Sequence, residues 1–553
     1  MSTEAFEESV VEGIKRASDH LRGDLANELA GPRPDVSSDA EQLLKFHGIY
    51  AQDNRDTRRE RAMAKETLDY IYMARVVIPG GALTSAQWLA LDALADEVAD
   101  GTLRLTTREA IQLHGVLKGG LRAMATKLDE HWLTTFGGCG DVVRNVVLCP
   151  SLHHGEDDEQ LGAVATRLAR RFRARTQAHW EIFVNGDKAA TRETDEQPFY
   201  GETYLPRKFK IAIASPHENC VDVFAQDVGL IPGTHPEAGR GFTMVVGGGL
   251  GRSYANPDTF ARLGDPLAFV TDDEVDETIA AVVDTYRELG NRVERKRARL
   301  KYVLADLGLD RFVAEMESRL GRALRAPLPI GPFGLDDHLG WRELANGTWH
   351  VGVRVGAGRV ADRGGVRLRS ALRALATRGD LTFHLTPLQD LIVSGVARAD
   401  RDDVAALLRN HGVRVDDELG PIERTALACP ALPTCSQALT ESERRLPDLV
   451  GALEGALAQS SARRRPLQLR LTGCPNGCAR PAVAEIGVVG RTKSTYDVVL
   501  GGSGRGDRLA RTFREKVTLD EIPDLVAPLF ERWGVEGTPG ESFGDFVTRT
   551  GIA

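Results

Sequence analysis

Apolar residues recur along the chain in two rhythms, one of period two and one of period three to four. Thr67 to Val77 reads as a strand running into the turn Pro79-Gly80-Gly81. From about Ser85 to Ala99, Trp88, Leu91 and Leu94 fall on one helical face, and Leu103 to Val116 alternates as a strand. Much later, Trp349, Val351, Val353 and Val355 alternate with His350, Gly352 and Arg354, as a half-buried strand should. A helix around Leu368 to Ala376 follows, then a strand-like stretch from His384 to Val396. Aligned without gaps, Arg104 to Val116 and His384 to Val396 share Leu, Thr, Gly and Val at the same offsets. Arg144 to Pro150 likewise resembles Arg424 to Pro430. The chain therefore reads as two copies of one two-part module. Its period is far longer than a solenoid repeat, which points to duplication with pseudo-twofold symmetry. Such halves leave an interface, a common place for a large cofactor.

Between the repeated parts, Asp157 to Arg173 reads as a helix with Leu161, Val164, Leu168 and Phe172 on one face. His179 to Val184, Lys210 to Ala214, Val221 to Ala225 and Phe242 to Val246 read as strands, and Glu274 to Leu289 as a helix. Pro327, Pro329 and Pro332 mark residues 320–335 as a linker. Strands Leu467 to Leu471, Val483 to Val489 and Tyr496 to Leu500 precede closing helices. Residues 1–70 read as an arm of short amphipathic helices. The expected fold is α+β in three domains: 71–136 with 337–411 as paired half-domains, 137–336 as an α/β domain, and 412–553 as another.

Hydrophobic content of 42% and charged content of 27% suit a soluble globular enzyme. A net charge of −9 argues against a nucleic-acid binder, whose footprint is basic. No apolar run is long enough to span a bilayer, and the first residues lack a signal-peptide core. The seven cysteines are an odd number in a long chain. A disulfide scaffold is not expected, and a cytoplasmic location is.

Four of those cysteines are paired by spacing: Cys429 with Cys435, and Cys474 with Cys478. Four thiolates are what a [4Fe–4S] cluster requires. Five intervening residues between Cys429 and Cys435 suit zinc poorly. Pro430, Pro433, Pro475 and Gly477 stiffen and tighten the loops between the thiols. Four buried structural thiols would be the plain alternative, but burial does not require such pairing. Cys149 lacks partners for a second cluster. Cys139 and Cys220 read as plain buried thiols.

The two cysteine pairs, the second inside Thr472-Gly473-Cys474-Pro475-Asn476-Gly477-Cys478, resemble those of the sirohaem-containing sulfite and nitrite reductases. Phe46-His47-Gly48, Pro79-Gly80-Gly81, Leu205 to Lys210, Gly247 to Leu250 and Gly544-Asp545-Phe546 extend the likeness over most of the chain. It is nearest to the haemoprotein subunits of the assimilatory sulfite branch. The resemblance implies ferredoxin-like half-domains within the three-domain fold. It implies sirohaem and a [4Fe–4S] cluster held by Cys429, Cys435, Cys474 and Cys478, with Cys478 bridging the two cofactors. The implied activity is six-electron reduction of sulfite to sulfide. Nitrite reduction with the same cofactors is the alternative, and a cluster protein without sirohaem is a more distant one.

Arg75 and Arg144 stand inside apolar runs, where an unpaired charge is costly. Lys208 and Lys210 alternate across Phe209 onto one strand face. Structural ion pairs would look the same from sequence. The resemblance implies that these four surround the substrate anion. It also implies cofactor-carboxylate contacts from the neighbourhoods of Arg104, Arg108, Gln112, His114 and Gln389, and from the basic run that contains Arg295 and Lys301. No dinucleotide-binding Gly-x-Gly-x-x-Gly opens a clear βαβ unit. Electrons must therefore come from a partner, either ferredoxin or an NADPH-dependent flavoprotein subunit.

Overall fold

The structure, a computed structural model, describes residues 8–152, 156–176, 199–334, 336–415 and 418–553. The expected strand His179 to Val184 lies outside them. Four five-stranded sheets, covered by helices, make an α+β fold. They form two matched pairs.

In the first pair, one sheet runs Ile49–Asp53, Tyr70–Val77, Ala110–Val116, Leu103–Leu105 and Arg359–Val360. Its counterpart runs Gly340–Glu343, Trp349–Val353, Leu391–Val396, Thr382–Leu385 and Ala82–Thr84. The last strand of each sheet comes from the other half of the chain. Arg359 pairs with Arg104, and Leu83 pairs with Phe383. Each exchanged strand leaves a tight turn with two successive residues of positive φ, Gly80 (φ 64°) and Gly81 (φ 74°) or Ala357 (φ 52°) and Gly358 (φ 74°). The turns match because the halves match, so duplication is written into the hydrogen bonding itself. A capping box at Thr84 and Gln87 starts the helix Ser85–Glu97, which buries Trp88, Leu91 and Leu94. Trp88 stacks on Phe383 from the other half, centroids 4.8 Å apart.

Leu103 to Val116 is two strands rather than one. Thr106 Oγ1 accepts the amides of Arg108 (3.3 Å) and Ala110 (3.2 Å), and Glu109 turns left-handed at φ 48°. The counterpart does the same: Thr386 Oγ1 accepts from Leu388 and Asp390, with Gln389 at φ 66°. Arg108 therefore sits at a hairpin tip and not in a flat row with Arg104, Gln112 and His114.

The second pair of sheets runs Asp265–Thr271, Gly239–Val246, Val228–His235, Ile211–Ile213, Val147–Leu148, and Arg511–Val517, Tyr496–Leu500, Ile486–Gly490, Leu469–Thr472, Leu427–Ala428. Val221 to Ala225, expected as a strand, is instead a 3₁₀ turn at Val223–Ala225 after left-handed Asp222. The Asn219 side chain accepts the Val223 amide (2.7 Å) and fixes that turn. Its counterpart is the 3₁₀ turn Pro481–Val483 after left-handed Arg480, so the strand expected from Val483 begins at Ile486.

The segment before residue 70 is drawn into the fold. Leu21, Leu25, Leu43, Leu44 and Phe46 join the main core, and strand Ile49–Asp53 pairs with Tyr70–Val77. Residues 325–334 hold to the body through Arg325 O and the Gly334 amide. Among the described residues, no helix is long and apolar enough to cross a membrane.

Candidate active site

The cysteine loops follow two parallel strands. Ala428 is in register with Leu471, so Cys429 and Cys474 leave the same sheet end. The Gly473 amide donates to Cys429 Sγ (3.3 Å). A Cβ on Gly473 would lie 2.6 Å from both Ala431 Cβ and Thr440 O, so only glycine fits between the loops. Arg55 donates to the carbonyls of Cys435 (3.1 Å) and Ala438 (2.6 Å), tying the outer loop to the N-terminal segment. All four thiols are free of disulfides. Burial pushes the Cys429 thiol up to about 12 and raises Cys435 and Cys474 as well; after burial, the strongest influence on all three is the Cys478 thiol. Four thiols that influence one another electrostatically match in number and kind the donors a cubane cluster takes, and iron would supply the positive charge their thiolates need. Cys478 alone is exposed.

Cys478 opens onto a cavity of about 450 Å³. Its lining carries nine cations: Arg108, Arg207, Lys208, Lys210, Arg252, Arg295, Lys296, Arg299 and Arg480. Among the described residues, no carboxylate side chain lines it. Some of these cations are anchored from behind. Asp141 holds Arg295 (2.7 Å) and Arg207 (3.7 Å), and Asp227 holds Arg299 (2.7 Å). Asp222 holds Arg480 (3.0 Å). Lys208 and Lys210 have no carboxylate in ion-pair contact among the described residues. Burial lowers both ammonium groups well below the usual lysine value. Arg144 adds most to that for Lys208, and Lys208 itself for Lys210. Burial, then Arg144, pushes Arg108 down to about 9.

Two lining arginines also keep buried donors without a hydrogen-bond partner, Arg108 Nε and Arg480 Nε. A buried donor left unmade is costly unless something completes it. A cavity so charged fits a polyanionic macrocycle such as sirohaem, with its eight carboxylates, and a small dianion beside it.

Of the residues singled out in the sequence, Arg108, Lys208, Lys210, Arg295 and Cys478 line this cavity. Arg75 stands beside it. Its Nη1 donates to Cys139 Sγ (2.5 Å), its guanidinium lies over the Tyr50 ring, and the Cys478 thiol is among the groups that raise it. Arg144 reaches the Gly140 carbonyl at 3.3 Å and presses electrostatically on Lys208.

The others sit behind the wall, and apart from His114 Nδ1 their buried polar groups are engaged. Arg104 donates to Glu443 (2.9 Å) and to Ala428 O (2.8 Å), and Gln389 exchanges two hydrogen bonds with Ala428. Both therefore fix the strand that delivers Cys429. With the Gln112 amide turned to suit its neighbours, its oxygen accepts from Arg75 Nη2 (2.7 Å) and its nitrogen donates to His114 Nε2 (3.3 Å). Lys301 Nζ donates to the carbonyls of Gly249 (3.1 Å), Gly251 (2.8 Å) and Phe260, holding the glycine loop that forms one cavity edge. Burial lowers it to about 7.

Arg207, Arg252, Lys296, Arg299, Arg480 and Asn476 are cavity residues that sequence reasoning did not single out. Arg207 and Arg299 lie inside motifs already noticed, next to Lys208 and within the basic run ending at Lys301. Arg480 and Asn476 flank Cys478. Nothing local marks Arg252.

Comparison with known proteins agrees with this geometry. The family model for the nitrite and sulphite reductase 4Fe-4S domain matches residues 139–324 and 420–553. The nitrite/sulfite reductase ferredoxin-like half domain matches residues 63–131 and 342–411. The chain belongs to the nitrite and sulfite reductase family, whose cofactors are sirohaem and a [4Fe–4S] cluster. A sulfite reductase [NADPH] hemoprotein beta-component from Myxococcus xanthus is 44% identical, over 98% of this chain and 96% of its own. One from Chromohalobacter salexigens is 42% identical over 98% and 95%. Among solved structures, the NirA protein of Mycobacterium tuberculosis superposes with a TM-score of 0.80 at 27% identity, over 98% of this chain and 97% of that one.

Proposed function

We propose that this protein is the haemoprotein component of a sulfite reductase, reducing sulfite to sulfide with electrons from an NADPH-dependent flavoprotein partner. The observation that carries this reading is the cation-lined cavity onto which Cys478 opens. The names of the relatives at 44% and 42% identity supply the substrate and the donor. Ferredoxin as donor and nitrite as substrate are the competing finer readings.

When bound, sirohaem would supply the redox-active iron and the cluster would supply single electrons. Cys429, Cys435, Cys474 and Cys478 hold the cluster. Arg108, Arg207, Arg252, Arg295, Lys296, Arg299 and Arg480 line the cavity and have the charge to meet cofactor carboxylates. Arg104, Gln112, His114, Lys301 and Gln389 act one step behind, by holding the cysteine strand, Arg75 and the glycine loop in place. Arg75, Arg144, Lys208 and Lys210 surround the substrate anion. Lys208 and Lys210 part with protons more readily than ordinary lysines, because burial and neighbouring cations disfavour their charge. An incoming dianion restores that charge, so each lysine becomes a proton donor where oxygen must leave sulfur as water. The same reading divides the chain into 71–136 with 337–411, 137–336 and 412–553, with 1–70 as an N-terminal arm.

The test is turnover of the holoenzyme with an NADPH-flavoprotein donor and with reduced ferredoxin in parallel, each offered sulfite and nitrite. Sulfide formed fastest with the flavoprotein is the expected result. Ammonia from nitrite with no sulfide from sulfite overturns the substrate assignment, and activity confined to ferredoxin overturns the donor.

A further inference from the structure

The matched halves place a second group of thiols where cluster ligands would stand if the halves were identical. Cys149 directly follows strand Val147–Leu148, as Cys429 follows Leu427–Ala428, and proline comes next in both. Cys220 stands eight residues before Val228, where the next strand begins, as Cys478 stands eight before Ile486. Two residues after each comes a left-handed residue, Asp222 (φ 49°) or Arg480 (φ 60°), and then a 3₁₀ turn. Cys220 is thus the structural counterpart of Cys478, which the sequence alone did not disclose.

The first half has too few thiols for a cubane cluster. Other donors complete its set. Cys149 Sγ lies 2.9 Å from Cys220 Sγ, 3.8 Å from His338 Nε2 and 3.7 Å from Glu218 Oε2. His338 Nε2 lies 3.8 Å from Glu218 Oε2. The two thiols and the imidazole present ligand atoms within 4.8 Å of one another, with Cys149 and His338 buried. Asp336, also near His338, is engaged by Arg342 (2.6 Å).

We propose that Cys149, Cys220 and His338, with Glu218 as the fourth ligand, bind one zinc-type divalent cation at the pseudo-symmetric counterpart of the cluster. Two thiolates, one imidazole and one carboxylate are donors that zinc accepts in tetrahedral array. Bonds of about 2.0–2.3 Å at tetrahedral angles require ligand edges of roughly 3.3–3.8 Å. The edges from Cys149 to His338 and Glu218, and from His338 to Glu218, already meet that requirement. The sulfur pair is closer, and it opens as the shared S–H proton leaves with metal binding. A disulfide would instead need the sulfurs to close to about 2.05 Å.

The ion would join three separate segments: the loop after the first-half strand, the loop before Asp222, and the segment leading into the second half. It would also steady the cavity wall, because the Cys220 carbonyl accepts from Arg480 Nη1 (3.1 Å).

The test is zinc and iron analysis of the full-length holoenzyme, with zinc-edge X-ray absorption, which sirohaem does not obscure. About one zinc per chain with a mixed shell of sulfur and light atoms is expected, in addition to the cluster and sirohaem iron. Cys220→Ser and His338→Gln should each lower zinc at least tenfold while iron stays at the parental level, and Cys139→Ser should keep both. The proposal is overturned if the parent retains no zinc after incubation with zinc chloride and desalting. A zinc shell without sulfur overturns it too, as does a Cys149–Cys220 disulfide in the purified parent by mass spectrometry.

Discussion

Asp222 and Arg480 occupy the same place in the two halves of the chain, and they are bonded to each other, Oδ2 to Nη1 at 3.0 Å. Each is the left-handed residue that opens a 3₁₀ turn, one behind Cys220 and the other behind Cys478. Asp222 also binds Arg470 (2.7 Å), and all three residues are buried. The pair therefore joins the halves near their pseudo-twofold relation and points Arg480 into the cavity. Removing the carboxylate leaves two buried guanidinium groups short of a counter-charge, which costs on the order of 3–5 kcal/mol. Asp222→Asn should lower the melting temperature of the holoenzyme and its sirohaem content together. An unchanged melting temperature with full sirohaem would show that this contact is dispensable.

The cluster assignment predicts that serine at Cys429, Cys435, Cys474 or Cys478 loses or destabilises the [4Fe–4S] signal in paramagnetic resonance after reduction. Cys149→Ser should leave the iron content at the parental level, because the first half cannot assemble a cluster. A full cluster signal in Cys435→Ser, or loss of about four irons in Cys149→Ser, contradicts the ligand set.

Lys208→Met and Lys210→Met should raise the sulfite requirement and slow turnover while both cofactors remain bound. The loss of one charged hydrogen bond to an anion costs about 1.5–3 kcal/mol, roughly tenfold to a hundredfold in affinity. Arg144→Ala should behave similarly. Normal sulfite kinetics in all three variants would move the substrate pocket elsewhere.

A pH dependence follows from the same lysines. Their ammonium groups are lowered in the free protein, by burial first and by neighbouring cations second. An anion raises them again, so binding takes up protons and weakens as pH rises through the lowered values. KM for sulfite should climb with pH more steeply in the parent than in Lys208→Met. Parallel profiles would detach the lysines from anion binding.

Glu443 gives the opposite sign, and in stability. Burial alone would raise its carboxyl, yet Arg104 and Arg359 hold it at about 2 against an ordinary 4.5. Its contribution, roughly 3 kcal/mol, is present above pH 4.5 and is lost as pH falls through 2. The stability gap between parent and Glu443→Gln, followed by circular dichroism at stepped pH, should close over that window. A gap that stays constant would place the ion pair outside the folding balance.

Much of the architecture was legible because it is periodic or paired. The helix from Ser85 announces itself by its apolar face, the duplication by shared offsets, and the cluster by two cysteine pairs. The exchanged strands Ala82–Thr84 and Arg359–Val360 were not legible, since two or three residues carry no period and their partners lie in the other half. The turn at Thr106 to Glu109 was hidden for a different reason. It lacks glycine, proline and asparagine, and a threonine hydroxyl closes it instead. Arg252 and Arg480 reach the cavity only through tertiary folding. Cys220 looked solitary because Cys149 and His338, which the fold brings near it, lie far away along the chain.

The most direct measurement of the central claim needs no physiological partner. Purified holoenzyme is reduced chemically with a viologen dye under anaerobic conditions, given sulfite, and assayed for dye consumed and sulfide formed. The account predicts visible sirohaem bands and six electrons consumed per sulfide released. A preparation with full cluster and sirohaem that reduces nitrite but releases no sulfide from sulfite would contradict it.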